Sequence, residues 1–141
     1  MEIKKRALGL DIGTKRIGIA ISDVMWLGAN PVCTIDRKDD VVARKEIEKH
    51  CIIYDVEVVV VGVPYNMNGS FGYQAKNCVD FIKPLEERYD LVYQDERLSS
   101  ETAENILKKQ GRKFTRHKGM VDAVAACVIL QEYLDEQRPK W

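Results

Sequence analysis

The chain has no pair of cysteines close enough to grip a metal or work as a redox couple. Cys33, Cys51, Cys78 and Cys127 lie at least 18 residues apart, and neither His50 nor His117 stands in zinc spacing with any of them. That excludes C-x-x-C chemistry and predicts free thiols, behaving as small hydrophobes in a reducing cytoplasm. Long apolar runs are also missing. Stretches such as Val58–Val61 fall far short of the ~20 residues of a membrane span. Met1–Arg6 leads straight into strand-like sequence with no apolar leader, so no signal peptide is expected. Only 4 prolines and 9 glycines occur in 141 residues, which excludes collagen-like and low-complexity classes. An excess of one charge is absent as well, with 22 basic against 22 acidic residues. What remains, 45% apolar and 31% charged, is the make-up of a globular domain with a core of its own. The length predicts one domain over residues 1–137, with 138–141 as a disordered tail.

The balanced total hides an uneven distribution. Residues 108–118 hold Lys108, Lys109, Arg112, Lys113, Arg116 and Lys118 and no acid, leaving 16 basic against 22 acidic residues elsewhere. A basic segment on an acidic body suits contact with phosphates. The same charges would also serve as helix C-terminal cations on a solvated loop.

Patterning gives the elements. Arg6–Asp11 and Ile17–Ser22 are apolar strands joined by Gly13–Arg16, which predicts an antiparallel hairpin. Val32–Ile35 predicts a third strand, and Asp39-Asp40 opens a helix running to about Ile53. Val56–Val63 is apolar without alternation, as expected of a central strand covered on both faces. Pro64–Gly72 is a loop. Gln74–Tyr89 is expected to be helical, with Pro84 as a kink or early break. Leu91–Glu96 is a strand, a helix follows from Ser99 or Ser100, and Met120–Glu136 is the last helix. The order β-β-β-α-β-α-β-α-α predicts an α/β protein with a mixed five-stranded sheet and helices on both faces. This arrangement is expected of an RNase H-like fold and is shared by other α+β proteins.

Three acidic positions sit in apolar surroundings. Asp11 ends a run inside the sheet. Asp95-Glu96 close a strand. Asp122 shares its helical face with Ala125, Ala126 and Ile129, so it points inward and needs a cation, a hydrogen-bond network or a metal. Each has a plainer role open to it: an Asx turn for Asp11, a position before a helix for the pair, an ion pair with Lys118 for Asp122. Together they form a set of hard oxygen ligands suited to Mg²⁺ or Mn²⁺. Two such ions stabilise both the attacking and the leaving oxygen of a phosphodiester displacement. Side chains alternate along a strand, so Asp95 and Glu96 cannot both face one site. Lys15 and Arg16 on the hairpin, and Asn66 and Ser70 in the loop after the Val-rich strand, are placed to meet a nucleic-acid backbone.

Four stretches carry a family resemblance. Leu8–Ala20, Val61–Ser70, Asp95–Ser100 with Ala103-Glu104, and Lys118–Ala126 continuing through Ile129–Leu134 resemble, in order and spacing, the motifs of the YqgF/RuvX family. That family belongs to the RNase H-like superfamily and is similar to Holliday junction resolvases. Asn68 and Val24-Met25-Trp26 depart from its usual pattern. The resemblance implies a metal-dependent hydrolase, an endonuclease in 5′-end processing of pre-16S rRNA during ribosome biogenesis or one acting on branched DNA. It places the metal-binding acids on Asp11, Glu96 and Asp122, with Asp95 competing for the place of Glu96; Arg97, next in the chain, is expected to bind nucleic acid. The implied partner is nucleic acid, met by a monomer or homodimer. A non-catalytic RNA-binding assembly factor is the alternative, although such a protein gains nothing from acids that repel phosphates. The first motif also resembles the phosphate hairpin of actin-like ATPases, but the chain has no second Gly-rich phosphate loop.

Overall fold

A computed structural model describes residues 5–95 and 118–138. Five strands, β1 (Arg6–Ile12), β2 (Arg16–Ser22), β3 (Ala29–Asp36), β4 (Val56–Val63) and β5 (Asp90–Asp95), form one sheet in the order β3-β2-β1-β4-β5. The β1–β2–β3 meander is antiparallel, whereas β1, β4 and β5 run parallel. The Val-rich strand β4 lies between β1 and β5 with helices over both its faces, which is why it carries no alternation.

Alternation splits the sheet into two cores. Leu8, Leu10, Ile17, Ile19, Val59 and Val61 pack under α1 (Asp40–Ile53) and α2 (Tyr73–Ile82). Ala7, Ala20, Val58 and Val60 pack under the last helix, α3 (Lys118–Glu136), through Ala126, Ile129, Leu130 and Leu134. Helices on both faces of a mixed sheet are as the sequence predicts. No helix among the described residues is long and apolar enough to cross a membrane.

Several boundaries differ from the sequence expectation. Strand β3 runs from Ala29 to Asp36, longer than Val32–Ile35, because Ser22 and Ile21 of β2 continue to pair with Ala29 and Asn30. Helix α2 stops at Ile82. The chain continues as a 3-10 turn, Lys83–Glu87, with Pro84 in its first turn. Proline lacks the N–H that the helix needs, so Pro84 is a break. Asp39 caps α1, its side chain accepting from the Val42 N–H at 3.1 Å, as the Asp39-Asp40 signal predicts. At the chain's end, the Arg138 side chain pairs with Asp135 and donates to the Leu27 carbonyl. The helix expected after Ser99 lies outside the described residues.

The contact between α3 and the sheet is unusually close. A Cβ added at Gly9 would lie 2.7 Å from Leu130 Cβ and 2.8 Å from the Ala126 carbonyl. One added at Gly18 would lie 2.0 Å from the Asp122 carbonyl oxygen. Two strand glycines and the alanines of α3 thus let backbone rest on backbone. Further along, Gln131 fixes the β2–β3 turn, accepting from Ala29 N–H at 2.9 Å and donating to the Leu27 carbonyl at 3.1 Å.

Candidate functional site

Asp11 stands on β1, two residues past Gly9 and therefore on the α3 side of the sheet. Its register partner on β2 is Gly18. Such antiparallel neighbours have Cα atoms about 4.5–5.5 Å apart. Gly18 is also where the backbone of Asp122 touches the sheet. One glycine therefore brings together two aspartates 111 positions apart in sequence. Asp11 is half-buried.

Asp122 has a resident cation. Arg16 Nε donates to Asp122 Oδ2 at 2.9 Å. Arg16 opens β2 two residues before Gly18, so alternation puts it on the same face. The carboxylate is the less exposed partner, at 24% against 53% for the arginine side chain. The sequence offered Lys118, one turn away, as a partner for Asp122. The pair with Arg16 reaches across to the hairpin.

Asp95 ends β5 opposite Val63 and is exposed. Its charge reaches Glu132 on α3. Burial first, then the charges of Glu136, Asp95 and Asp135, push that carboxyl above its usual range. Among the described residues no three of His, Cys, Asp or Glu converge on one point, so Asp95 is not drawn into a cluster with Asp11 and Asp122. Glu96, Arg97, Lys108, Lys109, Arg112, Lys113 and Arg116 lie outside the described residues. Lys118 begins α3.

The loop after β4 is braced from within. Asn66 Nδ2 donates to Ser70 Oγ at 2.9 Å, and Ser70 Oγ donates to Asn68 Oδ1 at 2.7 Å. Gly69, at φ 86°, closes the turn by donating to the Asn66 carbonyl at 2.7 Å. Asn66 and Ser70, expected to meet phosphates, thus spend hydrogen bonds on the shape of the loop. The loop turns Met67 and Phe71 outward, with Tyr73 just after it; sequence reading did not single these out.

A second feature escaped sequence reading. Thr14, Lys15, Arg16, Asp36, Arg37 and Lys38 line a groove of about 380 Å³ beside the hairpin. Arg37 forms its rigid part, with a side chain only 6% exposed. It donates to Asp40 at 3.0 Å and to the Gly13 carbonyl and Asn77 at 2.9 Å, and it lies 4.4 Å from the centre of the Phe81 ring. Arg37 N–H also donates to the Lys15 carbonyl at 2.8 Å. The cations around the hairpin therefore stand on a fixed frame. Among the described residues Lys15 and Lys38 form no ion pair. Burial raises the Cys33 thiol and pushes Cys51 and Cys127 up to about 12.

The family model described as RuvX, Holliday junction resolvase, matches residues 5–136. The chain belongs to the RuvX family. Relatives named "Putative pre-16S rRNA nuclease" extend this to nearly full length. The one from Caldanaerobacter subterraneus subsp. tengcongensis is 46% identical, over 94% of this chain and 98% of its own. The one from Synechococcus elongatus is 44% identical, over 94% and 90%. Among solved structures, the RuvX-family chain shares its fold with Thermus thermophilus RuvC in complex with a Holliday junction substrate. The TM-score is 0.61 and the identity 15%, covering 94% of each chain. It also resembles the fowlpox virus resolvase in complex with Holliday junction DNA, with a TM-score of 0.63 and 12% identity, covering 95% and 99%. The fold is RNase H-like.

Proposed function

We propose that this RuvX-family protein is a divalent-metal-dependent endonuclease that hydrolyses phosphodiester bonds in structured nucleic acid, with the 5′ region of pre-16S rRNA as its substrate. The observation that carries the reading is the meeting of Asp11 and Asp122 over Gly18. Their backbones converge on one glycine, and the Asp122 carboxylate already holds a guanidinium. Their oxygen-only donor set fits Mg²⁺ or Mn²⁺, with Asp11, Asp122 and Glu96 as the residues that would hold it. Bound there, the metal would polarise the scissile phosphate and activate water. The chain's own share is positional. Strand β1 fixes Asp11, α3 fixes Asp122, and the hairpin cations draw in the backbone on either side of the cut. The relatives' name supports RNA as the substrate.

Incubating the purified protein with 5′ fragments of pre-16S rRNA and with a four-way DNA junction, with and without Mn²⁺, tests this. Metal-dependent cleavage of the rRNA fragment is expected. Cleavage of the junction alone would move the substrate to DNA, and binding without cleavage of either would leave an assembly factor. Full activity in EDTA would remove the metal.

Glu96 is the third ligand in this reading, the place that the family resemblance gives it. Glu96→Gln should abolish turnover, whereas Asp95→Asn should keep most of it. The reverse result exchanges their roles.

The hairpin groove, with the basic segment Lys108–Lys118, is the electrostatic track. Each duplex phosphate neutralised adds roughly −0.9 to the slope of log affinity against log salt. The double change Lys15→Gln with Lys38→Gln should flatten that slope by about 2 and weaken binding for every sequence alike. An unchanged slope would leave the groove without a role.

A further inference from the structure

We infer that Arg16 is an exchangeable cation that couples metal loading at Asp122 to capture of the nucleic-acid backbone. This rests on the metal-dependent reading above. The guanidinium lies 2.9 Å from Asp122 Oδ2, on a carboxylate assigned to the metal. A divalent cation sharing that carboxylate would face a fixed positive charge at close range, so loading favours departure of the arginine. Departure is easy: the Arg16 side chain is half exposed, and ion pairs in that setting are weak.

The freed side chain has a place to go. Arg16 also lines the groove beside Thr14, Lys15 and Lys38. The acid in that groove, Asp36, is its cross-strand register partner. Asp36 would hold the released guanidinium at the mouth of the groove. There its planar fork matches a phosphodiester better than an ammonium would. One side chain thus serves two ligands in turn, and linkage makes the effect reciprocal. Metal that expels Arg16 tightens nucleic-acid binding, and nucleic acid that captures Arg16 tightens metal binding by the same factor.

Three full-length variants test this: Arg16→Gln, Arg16→Lys and Asp122→Asn. Mn²⁺ affinity is read from the electron paramagnetic resonance signal of the free ion. Binding of a labelled phosphorothioate RNA hairpin is read by fluorescence anisotropy, with Mn²⁺ and in EDTA. The wild-type protein should bind the hairpin about 2- to 5-fold more tightly with Mn²⁺. Arg16→Gln should bind Mn²⁺ about 2- to 5-fold more tightly than wild type in the absence of RNA and lose most of the metal-induced gain in RNA affinity. Arg16→Lys, which keeps the charge, should return Mn²⁺ affinity towards wild type; a purely structural role for Arg16 would not order the variants this way. If Asp122→Asn loses Mn²⁺ while Arg16→Gln binds it no more tightly than wild type, the coupling is wrong and the metal site stands. If Asp122→Asn binds Mn²⁺ as wild type does, the metal reading fails and the coupling with it.

Discussion

Asp11→Asn should lower kcat about 10³-fold, a loss on the order of 4 kcal/mol of transition-state stabilisation. The change removes charge and keeps shape. Strand β1 is held by β2 on one side and β4 on the other, so the sheet should fold as before. Nucleic-acid affinity should hold or rise, because one charge that repels phosphate is gone. Asp122→Asn should produce the same loss of turnover with a small change in stability, since a partly exposed pair such as Arg16–Asp122 contributes roughly 0.2–1 kcal/mol. Single-turnover cleavage, binding by anisotropy and thermal melting separate these effects. Wild-type turnover in either variant would end the two-carboxylate mechanism.

Gly18→Ala should be the most damaging change of a single methyl group. Its Cβ would lie 2.0 Å from the Asp122 carbonyl oxygen, 2.3 Å from its carbon and 2.9 Å from the Ala123 nitrogen. All three are backbone atoms, so no side chain can rotate away, and α3 must lift off the sheet. Overpacking of this kind costs ~3 kcal/mol or more, a fall in Tm of roughly 10 °C at this size. The lift also displaces Asp122, and a shift of ~1 Å near reacting groups costs about 10²-fold in rate. Gly9→Ala meets Leu130 and Ala126 further along the helix. It should lower Tm with less effect on rate measured well below both transitions. A Gly18→Ala protein with wild-type Tm and rate would contradict the close packing.

Local pattern carried most of the fold. Val56–Val63 announced a central strand, the Gly13–Arg16 connector a hairpin, and Asp39 a helix start, because each depends on neighbours within a few residues. The length of β3 was not legible: pairing partners on β2, not composition, decide where it ends. Asp11 and Asp122 could be singled out as acids in apolar surroundings. That Gly18 would bring them together could not, since a glycine in a strand does not name the helix that approaches it. The same holds for Arg16 and Asp122, 106 residues apart, whose pairing depends on how α3 lies across β2. Nothing in the sequence around Arg37 sets it apart. It is nearly buried, because three acceptors and the face of Phe81 surround its guanidinium.

The placement of α3 also sets an order of events on the ribosome. Everything up to β5 is synthesised before α3, and α1 and α2 can cover only one face of the sheet. Among the described residues, the helix that covers Ala7, Ala20, Val58 and Val60 on the other face is α3, the last to be made. Domains fold as units during synthesis, and exposed apolar surface makes partly folded chains prone to aggregate. A nascent chain released before α3 should therefore depend on chaperones, and it would hold Asp11 without Asp122. The two aspartates meet only once α3 has been made, so a chain that still lacks that helix lacks the pair on which the proposed site depends.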